Sequence, residues 1–174
     1  LYDEAITKFN VAIQINPRYG DAYFNRGLAY AEKGDFDQAI QDYNKAIELD
    51  PGRADAYLNR CSSYADKGNF EYAISDCNKA INIDPGNADA YFNRGLIYFH
   101  KNDFDAAISD FDKVIKIVPD LTYGYANRAI VYFFKQEYDK SWEDVHKLEA
   151  LRYEFEPGFI EFVEDLKKAS RREN

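Results

Sequence analysis

Apolar and small residues recur along the chain at the spacing of one helix face. Tyr23, Gly27 and Tyr30 lie at i, i+4 and i+7, and the same spacing begins again at Ala39. Polar residues occupy most of the positions between them, which is the pattern of an amphipathic helix with one buried side. The sequence therefore predicts two successive helices in this region.

A short polar segment separates these two predicted helices. Lys33-Gly34-Asp35 offers a cation for a helix C-terminus, a glycine for a left-handed cap and an aspartate that can begin the next helix. Residues 67–69 and 101–103 are similar in composition. We therefore expect antiparallel pairs of helices, each pair joined by a tight turn.

The prolines give the length of the repeating segment. Four of the five prolines lie 34 residues apart, at positions 17, 51, 85 and 119. In the same register, the segments that begin at Asp21, Asp55 and Asp89 read DAYFNRG, DAYLNRC and DAYFNRG, and a looser copy begins at Tyr123. Because proline cannot continue a helix, each proline is expected to separate one helix pair from the next.

These residues resemble the tetratricopeptide repeat (TPR), a helix pair of 34 residues. Counted from residue 20, 54, 88 or 122 as position 1, every copy has a large residue at position 4, a small residue at position 8 and tyrosine at position 11, and the last copy departs from the pattern further along. Ser141 replaces the usual alanine of that copy, and Tyr153 replaces its proline. The resemblance implies an all-α fold, a right-handed α-solenoid of antiparallel helix pairs with about ten helices.

The register also divides the chain into segments. We expect the second helix of a truncated repeat over residues 1–19, TPR repeats over residues 20–53, 54–87 and 88–121, a degenerate repeat over residues 122–155, and a capping helix with a tail over residues 156–174. Charged residues on one side of the last segment suit a terminal cap, which must be solvated. The chain opens in the middle of a repeat and contains no methionine, so we expect it to be a fragment of a longer protein.

Composition excludes several classes of function. The chain has 22 basic and 31 acidic residues, a net charge of −9, which argues against nucleic-acid binding through phosphate contacts. No apolar run approaches the roughly 18 residues of a membrane-spanning helix. Phosphate-binding loops, nucleophile elbows and paired-histidine motifs do not occur in the sequence. We expect no enzyme activity, cofactor, metal site or membrane insertion, and a cytoplasmic location is the default expectation.

The two cysteines lie in one repeat, at positions 8 and 24. Both positions belong to the packing faces of the helices, so we expect Cys61 and Cys77 to be buried, reduced thiols that act as small apolar residues. A disulfide between them is the less favoured alternative.

One asparagine recurs at position 6 of every repeat: Asn25, Asn59, Asn93 and Asn127. The first helices of TPR arrays line the concave face, so the resemblance implies that these amides point into a groove. A primary amide both donates and accepts hydrogen bonds, so a row of them can pair with the backbone of an extended peptide. The row is similar to the asparagine ladder in the TPR region of O-GlcNAc transferase. Alternatively, asparagine is only a polar residue on an exposed helix face.

Acidic and aromatic residues flank this row. The aspartates at position 2 (Asp21, Asp55 and Asp89) predict an acidic rim in the N-terminal part of the groove. An apolar patch is predicted in the C-terminal part, formed by Phe92, Leu96, Phe99, His100, Tyr123, Ile130, Phe133 and Phe134. Such patches are often binding sites, although some of these residues can instead pack on one another or on the C-terminal cap. The expected partner is a protein or peptide with basic and apolar side chains.

Arginine occupies position 7 of all four repeats, where the family usually has an apolar residue. These arginines share a helix face with core positions, and a buried guanidinium needs a carboxylate partner. The recurring aspartate at position 23 predicts the structural ion pairs Arg26–Asp42, Arg60–Asp76, Arg94–Asp110 and Arg128–Asp144. Lys8 occupies position 23 of the half-repeat, which favours a partner in the same or the following repeat. The alternative is an outward row of arginines for anionic ligands.

Protein interaction is the function that these features favour. We expect a non-enzymatic scaffold that binds an extended or helical peptide segment in the concave groove. Two alternatives stay open, namely a regulatory or substrate-presenting arm of a larger enzyme, and a self-assembling scaffold that forms homo-oligomers through its open N-terminal edge. The carboxylate clamp of TPR co-chaperones is disfavoured, because Asp or Tyr stands at position 2, where a clamp lysine would lie.

Overall fold

The computed structural model describes residues 2–170, and α-helices dominate this range. Ten helices and no strand occur in it. The helices are α1 (Tyr2–Ile15), α2 (Gly20–Glu32), α3 (Phe36–Leu49), α4 (Ala54–Asp66), α5 (Phe70–Ile83), α6 (Ala88–His100), α7 (Phe104–Ile117), α8 (Thr122–Phe134), α9 (Tyr138–Ala150) and α10 (Pro157–Ser170). The predicted all-α fold of helix pairs is confirmed. The predicted tail at residues 171–174 lies outside the described residues.

The chain divides after Asn93 into two compact units. In the first unit, each helix from α1 to α4 packs on the helix that follows it. In the second unit, α7 packs on α8, α8 on α9 and α9 on α10. Packing between neighbours in the sequence is the arrangement of repeat proteins, because a single helix pair cannot bury its apolar face alone.

The turn inside each pair contains a residue with positive φ. Gly34 (φ 77°) and Gly68 (φ 73°) provide it in the first unit, and Asn102 (φ 60°) and Gln136 (φ 63°) provide it in the second. This left-handed conformation ends the first helix of the pair. The side chain of Asp35 then caps the start of α3 by accepting a hydrogen bond from a backbone N–H.

Inside a pair, position 8 of the first helix faces position 24 of the second. A Cβ atom added to Gly27 would lie 2.7 Å from the ring of Tyr43, and one added to Gly95 would lie 2.8 Å from the ring of Phe111. Both rings are fully buried. The small residue leaves space for the ring. Because the core is close-packed, the combined size of the two side chains is limited.

The second repeat fills the same contact with a disulfide. Cys61 and Cys77 are bonded and fully buried, and their Cα atoms lie 5.6 Å apart. The expectation of reduced thiols is therefore wrong, although both residues are buried as predicted. Small side chains on both helices let the backbones approach within the normal range of disulfides.

Lysine–aspartate pairs tie neighbouring repeats together. Lys33 binds Asp3, and Lys67 binds Asp37, with each lysine at the end of a first helix and each aspartate in the preceding repeat. A pair with the same sequence spacing joins α8 to α7 in the second unit. These aspartates are largely exposed, so the pairs add little to stability and act mainly on the register of adjacent repeats.

Candidate peptide-binding surface

The asparagine at position 6 hydrogen-bonds inside its own unit. The Nδ2 atoms of Asn25, Asn59 and Asn127 donate to the backbone carbonyl four residues earlier, at 2.8, 2.8 and 2.9 Å. Nδ2 of Asn93 instead donates to Oγ of Ser62 at 3.0 Å. All four asparagines are half-buried. Each amide is thus oriented by the protein before any ligand binds.

These bonds use only part of each amide. A primary amide offers two N–H groups and one acceptor oxygen. In each of the four asparagines one N–H is engaged, and no hydrogen bond to the amide oxygen is formed within the described range. Each side chain therefore keeps a donor and an acceptor, the two groups that a peptide unit can pair with.

Arg53 interrupts the acidic residues of the first unit. Its guanidinium binds the carboxylate of Asp21, and its Nε lies 2.9 Å from Oδ1 of Asp55. The same guanidinium lies over the ring of Phe24, 4.1 Å from the ring centre. One cation therefore bridges position 2 of two consecutive repeats and partly neutralises the predicted acidic rim. The third aspartate of that rim, Asp89, is exposed.

Aromatic side chains of the second unit form a connected cluster. The centre of the Phe99 ring lies 5.4 Å from that of Phe134 and 6.0 Å from that of Phe104. Phe133 contacts Phe134 at 5.8 Å and meets Phe162 edge to face at 5.6 Å. We call these five residues the aromatic cluster. Tilted and edge-to-face ring pairs of this kind are favourable beyond the area that they bury.

One side of the aromatic cluster packs against the core, and the other side is exposed to solvent. Phe133 and Phe162 pack against the core that Val163 and Leu166 help to form. Phe134 is 55% exposed, the most exposed large apolar residue of α8. Phe133 is therefore fixed by the cap helix α10, whereas about half of the Phe134 side chain stays exposed.

The other residues of the predicted apolar patch differ in exposure. His100 is exposed, and its ring lies 6.1 Å from that of Phe99. The half-buried members are Phe92, Leu96, Tyr123 and Ile130. Phe92 belongs to the first unit and the remaining members belong to the second.

Each arginine at position 7 forms two parallel hydrogen bonds with the aspartate at position 23 of its own repeat. Nε of Arg60 lies 2.6 Å from Oδ2 of Asp76, and Nη2 lies 2.7 Å from Oδ1. Nη1 of Arg60 also donates to Asn44 of the preceding repeat. The pairs Arg26–Asp42, Arg94–Asp110 and Arg128–Asp144 have the same two-bond geometry, with N–O distances of 2.6 to 2.9 Å. All four aspartates are buried.

Burial and ion pairing shift the pKa values of these side chains in opposite directions. Burial acts to lower the pKa of the Arg60 guanidinium, but the hydrogen bonds and charge of Asp76 outweigh it and raise that pKa. Burial raises the pKa of the Asp144 carboxyl, although Arg128 acts to lower it. The arginines point to carboxylates between the two helices, a geometry that suits a structural role better than an outward row.

Three residues that take part in these contacts are not predicted from the sequence. They are Arg53 at position 34, Phe104 at position 17 and Asn44 at position 25. Position 25 does carry a signal, because an amide or carboxylate recurs there and Asn10 and Asp112 also bind the arginine of the next repeat. Arg53 has no comparable signal, because the residue at position 34 changes between repeats. An aromatic residue stands at position 17 of every repeat, so the sequence does not distinguish Phe104 from the others.

Between residues 2 and 170, no group of three or more His, Cys, Asp or Glu side chains is arranged to hold a metal ion. In that part of the chain, no helix combines the length and the apolar character needed to cross a membrane.

Two TPR family profiles match the sequence. The profile described as tetratricopeptide repeat matches residues 20–53 and 88–121. The profile described as TPR repeat matches residues 2–34 and 62–101. Together they cover more than half of the chain. No curated protein sequence shows a significant match.

Solved structures share the fold. A crystal structure of MamA has a TM-score of 0.83 and 26% identity, covering 87% of this chain and 88% of that chain. MamA from Desulfovibrio magneticus RS-1 has a TM-score of 0.82 and 18% identity, over 87% of this chain and 85% of that one. The first TPR of Spaghetti (RPAP3), bound to an HSP90 peptide, has a TM-score of 0.63 and 27% identity, over 64% of this chain and 89% of that one. With its recurring helix pairs and these matches, the chain belongs to the tetratricopeptide repeat family of protein-interaction scaffolds.

Proposed function

We propose that the chain binds an extended or helical segment of a partner protein on the faces of its first helices. The observation that carries this proposal is the half-used asparagine amide at position 6 of every repeat. Binding of this kind requires no catalytic group, and TPR scaffolds are generally not enzymes. We therefore propose a binding role alone.

The amides would act on the backbone of the bound segment. An extended peptide presents N–H and C=O groups that have no partner within the peptide itself, so each can be satisfied by a side-chain amide. Because Asn25 and Asn59 are already fixed by a bond to their own helix, less side-chain entropy is lost when they bind. Each hydrogen bond formed would add about 0.5–1.5 kcal/mol to the binding free energy.

The aromatic cluster would hold an apolar side chain of the partner. Complete burial of a phenylalanine side chain contributes about 1.5–3 kcal/mol, and Phe134 still exposes about half of its surface. Covering the rest would therefore contribute about 1 kcal/mol, or about fivefold in affinity. The rings of Phe99 and Phe104 support Phe134 from behind, so the side chain is held in place.

Charge favours a basic partner over an acidic one. The chain has a net charge of −9, which attracts a cationic segment at low salt. The Spaghetti domain binds an acidic HSP90 peptide, SRMEEVD. In this chain position 2 of the first three repeats is Asp21, Asp55 and Asp89, and Arg53 neutralises only part of that charge. We expect SRMEEVD to bind more weakly than a basic, aromatic peptide of the same length.

Peptide binding to an amide-deficient variant tests the role of the asparagines. A library of random extended peptides would be selected on the wild-type chain, and the affinity of the best peptide measured by fluorescence anisotropy. The double change Asn59→Ala with Asn93→Ala should weaken binding about tenfold or more, because two amides are lost. Asn82→Ala is the matched control, since Asn82 is exposed on a second helix.

A backbone-modified peptide makes the test specific. N-methylation of alternate peptide bonds removes donors and leaves the side chains unchanged, so it should weaken binding to the wild type more than binding to the double variant, which keeps only Asn25 and Asn127. The alanine changes leave the helices intact, because alanine is the best helix former. Equal affinity of the wild type and the double variant would refute the proposed role of the asparagines.

A further inference from the structure

The asparagines at position 6 do not all have the same kind of hydrogen-bond partner. Asn59 and Asn127 each donate to a backbone carbonyl of their own helix, at 2.8 and 2.9 Å. Asn93 instead donates to the hydroxyl of Ser62, on the first helix of the preceding repeat, at 3.0 Å. One member of the row is therefore held by the neighbouring helix α4 and not by its own helix α6.

The residue at position 9 of the preceding repeat accounts for this difference. Position 9 is leucine in the repeats that precede Asn59 and Asn127, so it offers them no hydrogen-bond partner. An asparagine without such a partner bonds to its own backbone, as this residue type commonly does. Ser62 stands at position 9 before Asn93 and offers a hydroxyl. The serine therefore decides which partner Asn93 binds.

The Ser62–Asn93 pair keeps groups of both kinds for a ligand. Ser62 donates to the carbonyl of Leu58 at 3.3 Å and accepts from Asn93. Neither side chain forms another hydrogen bond in the described part of the chain, so Ser62 retains one lone pair and Asn93 retains one N–H and its oxygen. Both side chains are half-buried. A segment that covers them must supply partners, because a polar group that loses water without a new hydrogen bond is costly.

We propose that this pair recognises a carboxamide side chain, from asparagine or glutamine, in the bound segment. A carboxamide donates to an oxygen and accepts from an N–H at the same time, so it matches both kinds of group. A carboxylate cannot donate and an ammonium group cannot accept, so each leaves a group of the pair unmatched. This inference rests on the proposed binding of a segment to the first helices.

Two features favour a side chain over the backbone as the partner of Asn93. An extended backbone repeats its N–H and C=O groups at regular intervals, and it can follow asparagines that are held alike. Asn93 departs from that arrangement, because α4 holds it. Position 9 is also apolar in the other complete repeats, where it suits an apolar side chain of the ligand, and only the second repeat replaces that surface with a hydroxyl.

Peptide selection on two forms of the chain tests this specificity. One library of random peptides would be selected on the wild type and on Ser62→Leu, which carries the residue that the first and third repeats have at position 9. The wild type should enrich asparagine or glutamine at one peptide position, and Ser62→Leu should enrich an apolar residue there. Replacing the selected carboxamide by leucine, or by the carboxylate of equal size, should weaken binding to the wild type about tenfold.

Matched variants test the hydroxyl without added bulk. Ser62→Ala should lose the preference for a carboxamide, whereas Ser63→Ala should keep it, because the buried Ser63 hydroxyl bonds to the carbonyl of Asn59 and not to Asn93. Adding Asn93→Ala to Ser62→Ala should cause little further loss, since the two residues act as a pair. Circular dichroism checks that each variant keeps its helices.

NMR of the free protein checks the cause. In the wild type, the side-chain amide protons of Asn93 should show NOE contacts to Ser62. In Ser62→Leu they should show contacts to the backbone of α6, as those of Asn59 do to α4.

Single asparagine variants separate this inference from the proposed function. Asn59→Ala should reduce the effect of N-methylating one peptide bond, and Asn93→Ala should reduce the effect of replacing the carboxamide. If no peptide is selected on the wild type, or if Asn59→Ala loses no affinity, the proposed function fails and this inference fails with it. The same residue preference on the wild type and on Ser62→Leu would overturn this inference alone. So would a loss in Asn93→Ala that depends only on N-methylation.

Discussion

Reduction of the Cys61–Cys77 disulfide should lower the stability of the first unit. The bonded residues are 16 positions apart, and the constraint that a loop of this size places on the unfolded chain contributes about 3 kcal/mol. Both cysteines are fully buried, so the reduced thiols would stay packed as small apolar groups and the main loss would be that constraint. For a chain of this length the melting temperature should fall by about 6–12 °C.

Circular dichroism melts with and without a phosphine reductant measure this change. Thiol titration before and after treatment establishes that the bond was present and then reduced. The control is the variant Cys61→Ala with Cys77→Ala, whose melting temperature should not respond to the reductant. Hydrogen exchange should locate the loss in α4 and α5, because stability in repeat proteins is largely local.

Two results would contradict the reasoning about this bond. Free thiols in the untreated protein would show that the cysteines are not paired. An unchanged melting temperature after complete reduction would show that the bond does not constrain the unfolded chain as calculated.

Four substitutions, at Tyr43, Asp76, Arg60 and Gly95, test the contacts between helices, each by urea denaturation. Tyr43→Phe should stabilise the chain by about 1 kcal/mol, because the buried Tyr43 hydroxyl forms no hydrogen bond within the described residues and Phe111 fills the equivalent position; a loss of stability would refute this. Asp76→Leu alone should cost about 3 kcal/mol by leaving the Arg60 guanidinium without its carboxylate, and adding Arg60→Met should recover most of the loss. Gly95→Ala should cost about 1–3 kcal/mol, because the new methyl group would meet the ring of Phe111; neutral behaviour would show that this ring can move.

The helix pairs can be predicted from the sequence because the same pattern of apolar and small residues recurs in each repeat. The 34-residue spacing fixes which residues correspond, so one helix face recognised at Tyr23 predicts the others. The polar turns add independent support, and the structure has helices on both sides of each of them. Repetition thus makes weak local signals add up.

Distances between helices do not follow from that spacing. The register correctly predicts that Cys61 and Cys77 occupy packing positions, but only the separation of the two backbones decides whether they can bond. The exposure of a side chain does not follow from the spacing either. Phe133 and Phe134 are neighbours in the sequence, yet Phe133 packs against the cap helix and Phe134 faces solvent. The bridge formed by Arg53 depends on side chains of two successive repeats, which no single repeat reveals.

The third contact of Arg26, Arg60 and Arg128 bears on how such a protein can change its number of repeats. Arg60 binds Asp76 in its own repeat and Asn44 in the preceding one. All the hydrogen-bond acceptors of this guanidinium therefore lie in its own repeat or in the adjacent one. An in-frame duplication of one of the first three repeats would give the copied arginine an aspartate in its own repeat and an amide or carboxylate in the preceding one, because position 25 of these repeats is Asn44, Asn78 and Asp112. The number of repeats can therefore change through gene duplication, and an added repeat extends the surface formed by the first helices while its ion pair stays satisfied.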